Sequence, residues 1–458
     1  MTFAVDRPIA TDQPDQPGQP EIREWPLLPD QTRPDLVGLQ ASHPQRYPGL
    51  FLSSGDVGWD VLFAFPQEVV RIDAADGLDG LRSHPAMQLQ PARSQSDLEL
   101  PFSGGWLCAF AYELGGLFEP SVGLAADPDF PLAWLARIPA AILFDRANGR
   151  CMLMAEAGRT ILLDSMQHDL AHTPPLAAAL PDLQRLEEDA PAAFLAGVAR
   201  IQDYIRAGDV FQVNLSRGWQ AEFAAPVPAA ALLAQLMLRN PAPFSALLQL
   251  DEWAVVSSSP ERLVRLGRDG MLETRPIAGT HPRSDDAAED AALRARLQAH
   301  PKERAEHVML VDLERNDLGR VCEPGSVKVD ALMEIASYRH VHHIESTVRG
   351  TLRSGMRVFD ALRAVFPGGT ITGCPKVRTM QIIRELEQTP RRSYTGSVGY
   401  INRDGSFDFN ILIRSFLLRG NELSFRAGAG IVADSVATRE LDETRAKARG
   451  LLRALEPA

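Results

Sequence analysis

The chain has 458 residues, of which 45% are hydrophobic and 23% are charged, a composition typical of a globular protein with a large core. Its formal net charge of −12 argues against a nucleic acid or an anionic membrane as partner, because both would repel it. The spacing of the four cysteines fits no metal template and favours free thiols in a reducing compartment. No apolar run resembles a signal peptide or a transmembrane helix, so we expect a cytoplasmic protein.

The first half of the chain is predicted to be mainly extended. Seven prolines among residues 1–34 predict an extended N-terminal lead-in. Apolar segments at 49–54, 61–65 and 140–144 predict short strands in an N-terminal part of the fold that spans 35–175. Prolines make 170–190 the best linker candidate, and a catalytic region is expected to follow at 190–458.

The second half predicts long helices that alternate with strands. A helix is expected to begin near Pro191 with Asp189 as its cap, and to end at Gly208. Further helices are predicted over 287–318, 356–366, 375–388 and 439–454, and strands around 210–217, 244–250, 253–258, 263–267, 271–275, 327–330, 344–351, 396–401, 410–418 and 422–427. Many strands without a βαβ rhythm indicate an α+β fold. Length alone suggests about three domains.

A glycine-rich loop at 366–378 is the most informative local motif. Its glycines let the backbone approach a ligand closely, and Lys376 adds a cation where the next helix begins. N–H groups, hydroxyls and an ammonium directed at one point could hold a carboxylate or a phosphate. Gly428 and Gly430 also offer close backbone approach. Structural junctions and tight packing are the alternatives for all of these glycines.

Two pairs of glutamates share one helical spacing. Glu303 and Glu306 are three residues apart, as are Glu440 and Glu443, so each pair lies on one face of a predicted helix. If the two helices meet, four carboxylates could bind Mg²⁺, which prefers oxygen ligands. Solvated acidic helix faces are the common alternative.

Four further polar residues are candidates for chemistry. Glu261 follows an apolar strand and could transfer a proton if its pKa is raised, or could pair with Arg262 in a turn. Arg414, in an apolar stretch predicted as strand, needs an anion, which could be a substrate carboxylate or an internal one. Tyr394 could donate to the same anion. His343 could act as a donor or could be a satisfied core histidine.

Together these motifs resemble the chorismate-utilising enzymes, the family of anthranilate synthase component I, aminodeoxychorismate synthase component I, isochorismate synthase and salicylate synthase. The matching stretches occur in family order over about residues 190–455: 208–216, 259–262, 274–280, 303–307 with 312–320, 368–378, and 428–434 with 440–444. The resemblance implies one α+β unit, rather than three domains, in which two large antiparallel β-sheets pack face to face with helices outside.

The resemblance also implies a role for each candidate residue in binding chorismate, a dianion, with Mg²⁺. Glu306 and Glu443 would be direct metal ligands, and Glu303 and Glu440 would act through water. Tyr394 and Arg414 would hold the enolpyruvyl carboxylate, and Thr370 with the backbone of Gly428 and Gly430 would fix the ring carboxylate, with Lys376 close by. Glu261 would be the general acid/base, and His343 would assist loss of the C4 hydroxyl.

Gln212 is the first residue that separates the branches of this family. Members that add water have a lysine there as base, and glutamine cannot abstract a proton, so ammonia is the expected nucleophile. Asn214 and Thr372 resemble the aminodeoxychorismate branch, and residues 51–54 lack the Leu-Glu-Ser pattern of tryptophan feedback. Ala278 points the other way, because well-known aminodeoxychorismate synthases have a lysine there that attacks C2 of chorismate.

On balance the resemblance implies an aminating transferase of the transaminase class that makes 4-amino-4-deoxychorismate for para-aminobenzoate and folate biosynthesis. The alternative is the anthranilate synthase reaction of tryptophan biosynthesis, and a non-catalytic chorismate-binding protein is a third possibility. No Cys-His-Glu amidotransferase domain is evident in the sequence, so we expect a separate glutamine amidotransferase subunit to supply ammonia. Tryptophan could bind between the sheets, near 50–54 and 240–244.

Overall fold

The computed structural model describes residues 18–27, 32–91, 100–284, 286–337 and 341–456. Most of the predicted lead-in, residues 1–17 and 28–31, lies outside this part of the chain. The strands that it contains are, in chain order, β1 (Glu21–Trp25), β2 (Gly49–Leu52), β3 (Trp59–Ala64), β4 (Val69–Ile72), β5 (Gly105–Phe110), β6 (Ala133–Ile138), β7 (Ala140–Asp145), β8 (Arg150–Ala155), β9 (Leu183–Glu188), β10 (Gln212–Phe223), β11 (Phe244–Leu250), β12 (Trp253–Ser259), β13 (Arg262–Leu266), β14 (Met271–Thr274), β15 (Ile277–Pro282), β16 (Lys328–Ser337), β17 (Val341–Thr351), β18 (Gly373–Cys374), β19 (Ser397–Asn402), β20 (Phe407–Asn410), β21 (Ser415–Arg419) and β22 (Glu422–Ile431).

Helices or short turns connect these strands. Three 3₁₀ turns lie in two of the connections, Ala74–Asp76 between β4 and β5, and Tyr112–Leu114 and Pro120–Val122 between β5 and β6. The α-helices of the described residues are α1 (Leu36–Ser42), α2 (Gly77–Ser83), α3 (Pro85–Gln88), α4 (Gly115–Phe118), α5 (Thr160–Ala171), α6 (Pro191–Arg206), α7 (Ala229–Arg239), α8 (Ala287–Ala299), α9 (Pro301–Gly319), α10 (Val358–Val365), α11 (Lys376–Glu387) and α12 (Ala437–Ala454). None of them is long and apolar enough to cross a membrane.

The strands form two large antiparallel sheets, as predicted. The first sheet has the order β1-β8-β7-β3-β2-β11-β12-β21-β22-β10-β18, with β9 also paired to β10. The second has the order β15-β17-β14-β13-β20-β19-β5-β6-β4, with β16 also paired to β17. Each sheet contains strands from both halves of the chain, which meet where β2 pairs with β11 in the first sheet and where β5 pairs with β19 in the second. This pairing joins the halves into one unit.

The two sheets pack face to face through one apolar core. Phe63 of β3 and Leu248 of β11 come from the first sheet, and Leu107 of β5 and Trp134 of β6 from the second. The rings of Phe63 and Tyr400 are 5.8 Å apart in this layer. Because side chains alternate along a strand, the intervening residues point outwards and are covered by helices.

Helices cover the outer faces of both sheets. Helices α1, α5, α7 and α12 pack on the first sheet, and α2, α3, α4, α9 and α10 pack on the second. Helices α6 and α11 cover β10 and β22 through Val213, Leu215, Ala429 and Ile431. This arrangement leaves the opposite face of β10 and β22 to polar residues.

The helix predicted over 287–318 is two helices. Pro301 begins α9, where a missing N–H costs little, and the His300 side chain accepts a hydrogen bond from Glu303 N at 3.4 Å. The periodicity of apolar residues does not reveal this break, because these residues recur with helical spacing on both sides of it.

The predicted linker and its cap also differ from the structure. Residues 183–188 form β9, which pairs with β10. Asp189 does not cap α6, since Ala190 holds the cap position. The Asp189 carboxylate instead accepts a hydrogen bond from Gly218 N at 2.6 Å, which ties this segment to β10.

Phe416 provides a test of the core beneath β21. It is fully buried, and its ring meets Phe425 edge-on at 5.5 Å. We expect Phe416→Ala to lower the free energy of unfolding by about 3–5 kcal/mol, because it removes buried surface and leaves a cavity. Urea unfolding measures this value. Phe211→Ala, at a side chain that is 67% exposed, should change it by less than about 0.5 kcal/mol; equal losses would contradict the packing described.

Candidate active site

The polar face of β10 and β22 forms one wall of the site. Gln212 and Asn214 lie on this face of β10, and Asn214 is paired with Gly430 on β22. A Cβ atom at Gly430 would overlap the Gln212 amide, and one at Gly428 would lie 2.5 Å from Asn214 Oδ1 and 2.9 Å from the Tyr394 hydroxyl. Both glycines are therefore required by the side chains that cross them.

Glu306 joins this wall to helix α9. The Gln212 amide Nε2 donates to Glu306 Oε1 at 2.5 Å. Burial raises the pKa of Glu306, and the carboxylates of Glu303 and Glu443 raise it further, whereas Gln212 and Lys447 act in the opposite direction. The Glu443 carboxylate on α12 therefore lies near enough to Glu306 on α9 to influence its ionisation.

Lys447 is a site residue that the sequence analysis missed. Its Nζ forms an ion pair with Glu443 at 2.8 Å and donates to Gly428 O at 3.0 Å. The side chain is 40% accessible. Although enclosure opposes the charge, Glu443 holds the pKa of Lys447 above its usual range. The spacing of four residues from Glu443 was the available signal.

The glutamates suit Mg²⁺ chemically but are not arranged as a finished metal site. Their oxygen donors are those that Mg²⁺ prefers, and the mutual repulsion of Glu303, Glu306 and Glu443 is what a cation would relieve. Glu440 is buried one turn before Glu443 on α12. Among the described residues, no three His, Cys, Asp or Glu side chains converge closely enough to hold an ion. Mg²⁺ binding stays a prediction and requires these carboxylates to turn towards a shared point.

Glu261 lies between β12 and β13 and is 5% exposed. The turn ion pair considered as its alternative role does not form, because Arg262 pairs with Asp408 at 2.9 Å and with Glu273 at 3.2 Å. Glu261 Oε1 has no hydrogen-bond partner within the described parts of the chain. A buried carboxyl oxygen without a partner is costly, and such a group is a candidate for a role in chemistry.

Burial raises the pKa of Glu261 to about 7. Glu345 adds to this effect, whereas the Thr370 hydroxyl, Lys447 and Arg414 oppose it. Thr370 lies close to the carboxyl but makes no hydrogen bond of good geometry with any described residue. A carboxyl with a pKa near neutral can both donate and accept a proton at physiological pH.

The sequence predicts Arg414 in a strand, but the structure places it in the irregular segment between β20 and β21. Its φ of 51° places it in the left-handed region, which is uncommon for a residue with a side chain. Its guanidinium forms no hydrogen bond or ion pair with the residues that the structure describes. Burial lowers the pKa of Arg414, and nearby Glu261 opposes this. The guanidinium is therefore placed to receive an anion.

His343 lies on β17, and its Nδ1 is 3.2 Å from Gly279 O on β15. Burial lowers the pKa of His343 to about 4, and Arg414 contributes in the same direction. The imidazole is therefore neutral at physiological pH, with its proton on the nitrogen that faces the carbonyl. Ala278, beside Gly279, is 7% exposed and offers only a methyl group.

Tyr394, between α11 and β19, completes the wall. It is 7% exposed, and its hydroxyl lies against Gly428. Burial raises the pKa of Tyr394, so the phenol keeps its proton and can donate a hydrogen bond.

Two residues of the glycine-rich loop are engaged elsewhere. Lys376 Nζ donates to Asp317 Oδ2 at 2.6 Å and to Val365 O at 2.9 Å, and it lines a separate surface cavity of about 700 Å³. The Thr372 hydroxyl donates to Gly368 O at 2.8 Å. Lys376 was predicted to lie near the substrate carboxylate, but its nearest anion is internal. Both side chains hold the loop in shape.

Glu314 is a second residue that the sequence analysis missed. It lies on α9 with an exposure of 8%. Burial raises its pKa to about 8, Glu261 and Asp317 raise it further, and Thr274 and Lys376 oppose this. Its place in the row of buried residues on this helix face, seven positions after His307, was the available signal.

Glu314→Gln tests this buried proton. The usual pKa of this carboxyl is 4.5. Between pH 4.5 and about pH 8 the folded protein therefore binds more protons than the unfolded chain, and its stability falls as pH rises. A glutamine cannot ionise and escapes this loss. We expect the variant to gain stability relative to the wild type by a few kcal/mol between pH 5 and pH 8.5.

Urea unfolding of both proteins across this pH range measures the effect. Glu334→Gln, an exposed substitution of the same chemistry, should follow the wild-type curve. Parallel curves for Glu314→Gln and the wild type would show that the Glu314 carboxyl ionises normally.

Comparison with known proteins places this arrangement in one family. A family model described as chorismate binding enzyme matches residues 47–453. The chain is 41% identical over 412 residues to anthranilate synthase component 1 of Streptomyces coelicolor, covering 84% of this chain and 78% of the relative. It is 40% identical over 394 residues to aminodeoxychorismate synthase component 1 of Klebsiella aerogenes, covering 85% of each.

A solved structure shows the same fold. Anthranilate synthase component I of Streptococcus pneumoniae superposes with a TM-score of 0.75 at 31% identity, over 87% of this chain and 93% of that one. The relatives are therefore divided between anthranilate synthases and aminodeoxychorismate synthases. The chain belongs to the chorismate binding enzyme family and is a chorismate-converting enzyme.

Proposed function

We propose that the protein is an aminodeoxychorismate synthase component I, which replaces the C4 hydroxyl of chorismate with ammonia. The observation that carries this proposal is the hydrogen bond between Gln212 and Glu306. An amide cannot serve as the base that activates water, and here its nitrogen is already committed to a carboxylate. Ammonia needs no such base, so the geometry favours amination over hydration.

Asn214 supports amination at C4 through its resemblance to the aminodeoxychorismate branch, and its position at the wall is consistent with contact to a ligand. Its Oδ1 is buried without a hydrogen-bond partner among the described residues, at the point where Gly428 and the Tyr394 hydroxyl meet. A polar oxygen at the substrate wall can accept a hydrogen bond from a ligand, and an aliphatic side chain in its place could not.

The acid–base groups fit a displacement at C4. Glu261, with a pKa of about 7, can donate its proton to the C4 hydroxyl as the C4–O bond breaks and water leaves. Ammonia forms the new C4–N bond, and the ammonium product returns a proton to the Glu261 carboxylate. His343, neutral and oriented by Gly279, would assist the departure of the hydroxyl.

The charged groups fit a dianionic substrate. Arg414 and Tyr394 would bind the enolpyruvyl carboxylate, and Thr370 with the backbone at Gly428 and Gly430 would bind the ring carboxylate. Mg²⁺, when bound, supplies positive charge that offsets this carboxylate, and its ligands would be Glu306 and Glu443 directly and Glu303 and Glu440 through water. A glutamine amidotransferase subunit would provide ammonia, and tryptophan binding between the sheets stays a prediction.

Ala278 favours a second candidate, anthranilate synthase component I. Without an amine at this position the chain cannot form a covalent adduct at C2, so amination at C4 would have to proceed directly. Ammonia attacking C2, followed by loss of pyruvate, needs no lysine. Relatives of both kinds match at about 40% identity.

Product identity decides between the two. We expect the enzyme, incubated with chorismate, Mg²⁺ and an ammonium salt, to form 4-aminobenzoate only after aminodeoxychorismate lyase is added. Chromatography with fluorescence detection separates 4-aminobenzoate from anthranilate. Anthranilate and pyruvate without the lyase would replace the proposal with the second candidate.

Glu261→Gln tests the acid–base role in either reaction. The amide keeps the shape of the side chain but cannot give up a proton to the hydroxyl. We therefore expect kcat to fall by about 10²–10⁴-fold, while KM for chorismate changes by less than about threefold. Glu187→Gln, at a side chain that is 63% exposed on β9, should keep wild-type kinetics. Unchanged kcat in Glu261→Gln would remove Glu261 from the chemistry.

A further inference from the structure

Arg391 uses its whole guanidinium inside the protein. It lies between α11 and β19 and is 3% exposed. Its Nε donates to Glu387 Oε2 at 2.9 Å, Nη1 to Ile371 O at 3.1 Å and Thr395 Oγ1 at 3.2 Å, and Nη2 to Asn214 O at 2.8 Å and Glu387 Oε1 at 2.6 Å. These five bonds account for the five N–H donors of an arginine.

Apart from Glu387, the acceptors belong to three separate segments that carry candidate substrate-binding residues. The Asn214 carbonyl belongs to β10, the Ile371 carbonyl follows Thr370 in the glycine-rich loop, and the Thr395 hydroxyl follows Tyr394. The guanidinium also lies 5.5 Å from the centre of the Tyr394 ring. One planar group therefore fixes the spacing of three parts of the wall that are far apart in the sequence.

Glu387 keeps this arginine in place. Although burial opposes its charge, Arg391 and Arg426 hold the pKa of Glu387 below its usual range. Its Oε1 also accepts hydrogen bonds from the backbone N and the hydroxyl of Ser216, each at 2.8 Å. Glu387 is thus tied to β10 two residues beyond Asn214.

We propose that Arg391 is a positioning residue for chorismate, which acts by setting the places of Tyr394, Asn214 and Thr370. The inference rests on the proposed binding of chorismate at this wall, but holds for either product. An apolar residue could fill the same volume, but only a planar fork of donors can hold three segments at fixed separations. Substrate affinity should therefore depend on the fork and not only on the charge.

Arg391→Lys tests this dependence. Lysine keeps the charge and can reach Glu387, but its single ammonium cannot hold all three segments. We expect KM for chorismate to rise by about tenfold or more, equivalent to about 1.4 kcal/mol or more, with kcat changed by less than about threefold. In a Tyr394→Phe background the same change should raise KM by no more than about threefold, because coupled residues are not additive.

Arg426→Lys is the matched control. Arg426 shares the Glu387 partner at 3.3 Å and touches β10 at Ser216. It has no hydrogen bond to Asn214, the glycine-rich loop or the turn that carries Tyr394, so KM should stay at the wild-type value. Urea unfolding of both lysine variants separates lost stability from lost positioning. An unchanged KM in folded Arg391→Lys, an equal rise in Arg426→Lys, or additive effects with Tyr394→Phe would each overturn the inference.

A milder variant keeps the test open if Arg391→Lys does not fold. Thr395→Val removes one acceptor of the guanidinium and should raise KM by about threefold, with kcat nearly unchanged; an unchanged KM would count against positioning.

Titration of wild-type enzyme with chorismate by calorimetry precedes these assays. Absence of binding there would defeat the proposed function itself, whereas wild-type binding with unaffected variants would defeat only the role of Arg391.

Discussion

The site depends on one register of strand pairing, that of β10 with β22. In this register the apolar residues Val213 and Ile431 face helices α6 and α11, and the polar side chains of β10 cross the glycines of β22 on the other face. Because side chains alternate, a slip by one residue would bury the polar set and expose the apolar one. The apolar packing behind the ladder therefore fixes the polar arrangement in front of it.

Buried ionic contacts extend this order to segments outside the ladder. Arg391 and Glu387 connect β10 to the glycine-rich loop and to the turn that carries Tyr394. Such a pair is expensive to bury, and its net effect on stability can be small. What it provides is geometric, since a saturated guanidinium accepts only one arrangement of its acceptors. Any arrangement of the wall that separated Arg391 from Glu387 would leave a buried charge without a partner, and such arrangements are therefore unfavourable.

The sequence was sufficient for features that depend on local pattern. Helix α12 and strands β3 and β7 fall within a few residues of their predicted positions, and the spacing of Glu303 and Glu306 put both on α9. Features that depend on distant partners were not predictable in this way. Lys376 looked like a ligand for a substrate because its partner, Asp317, is 59 residues away, and no periodicity connects the two. Motifs that recur together in a family located most candidate residues. The spacing of Lys447 from Glu443 is local, but its hydrogen bond to Gly428 on β22 involves a partner that no local pattern identifies.

Burial would also help an acidic protein to hold a dianion at the proposed substrate site. The same desolvation that raises the pKa of Glu261 lowers that of His343, so both groups tend towards their neutral forms at physiological pH. The charges that remain nearby include Arg414 and Lys447, of which only Lys447 has a carboxylate partner among the described residues. The chain carries a net charge of −12, but much of that charge is exposed and screened by solvent. At the proposed substrate site, an enclosed guanidinium without a carboxylate partner among the described residues would outweigh the distant field. The acid beside it, when protonated, would add no negative charge there before it gives up its proton.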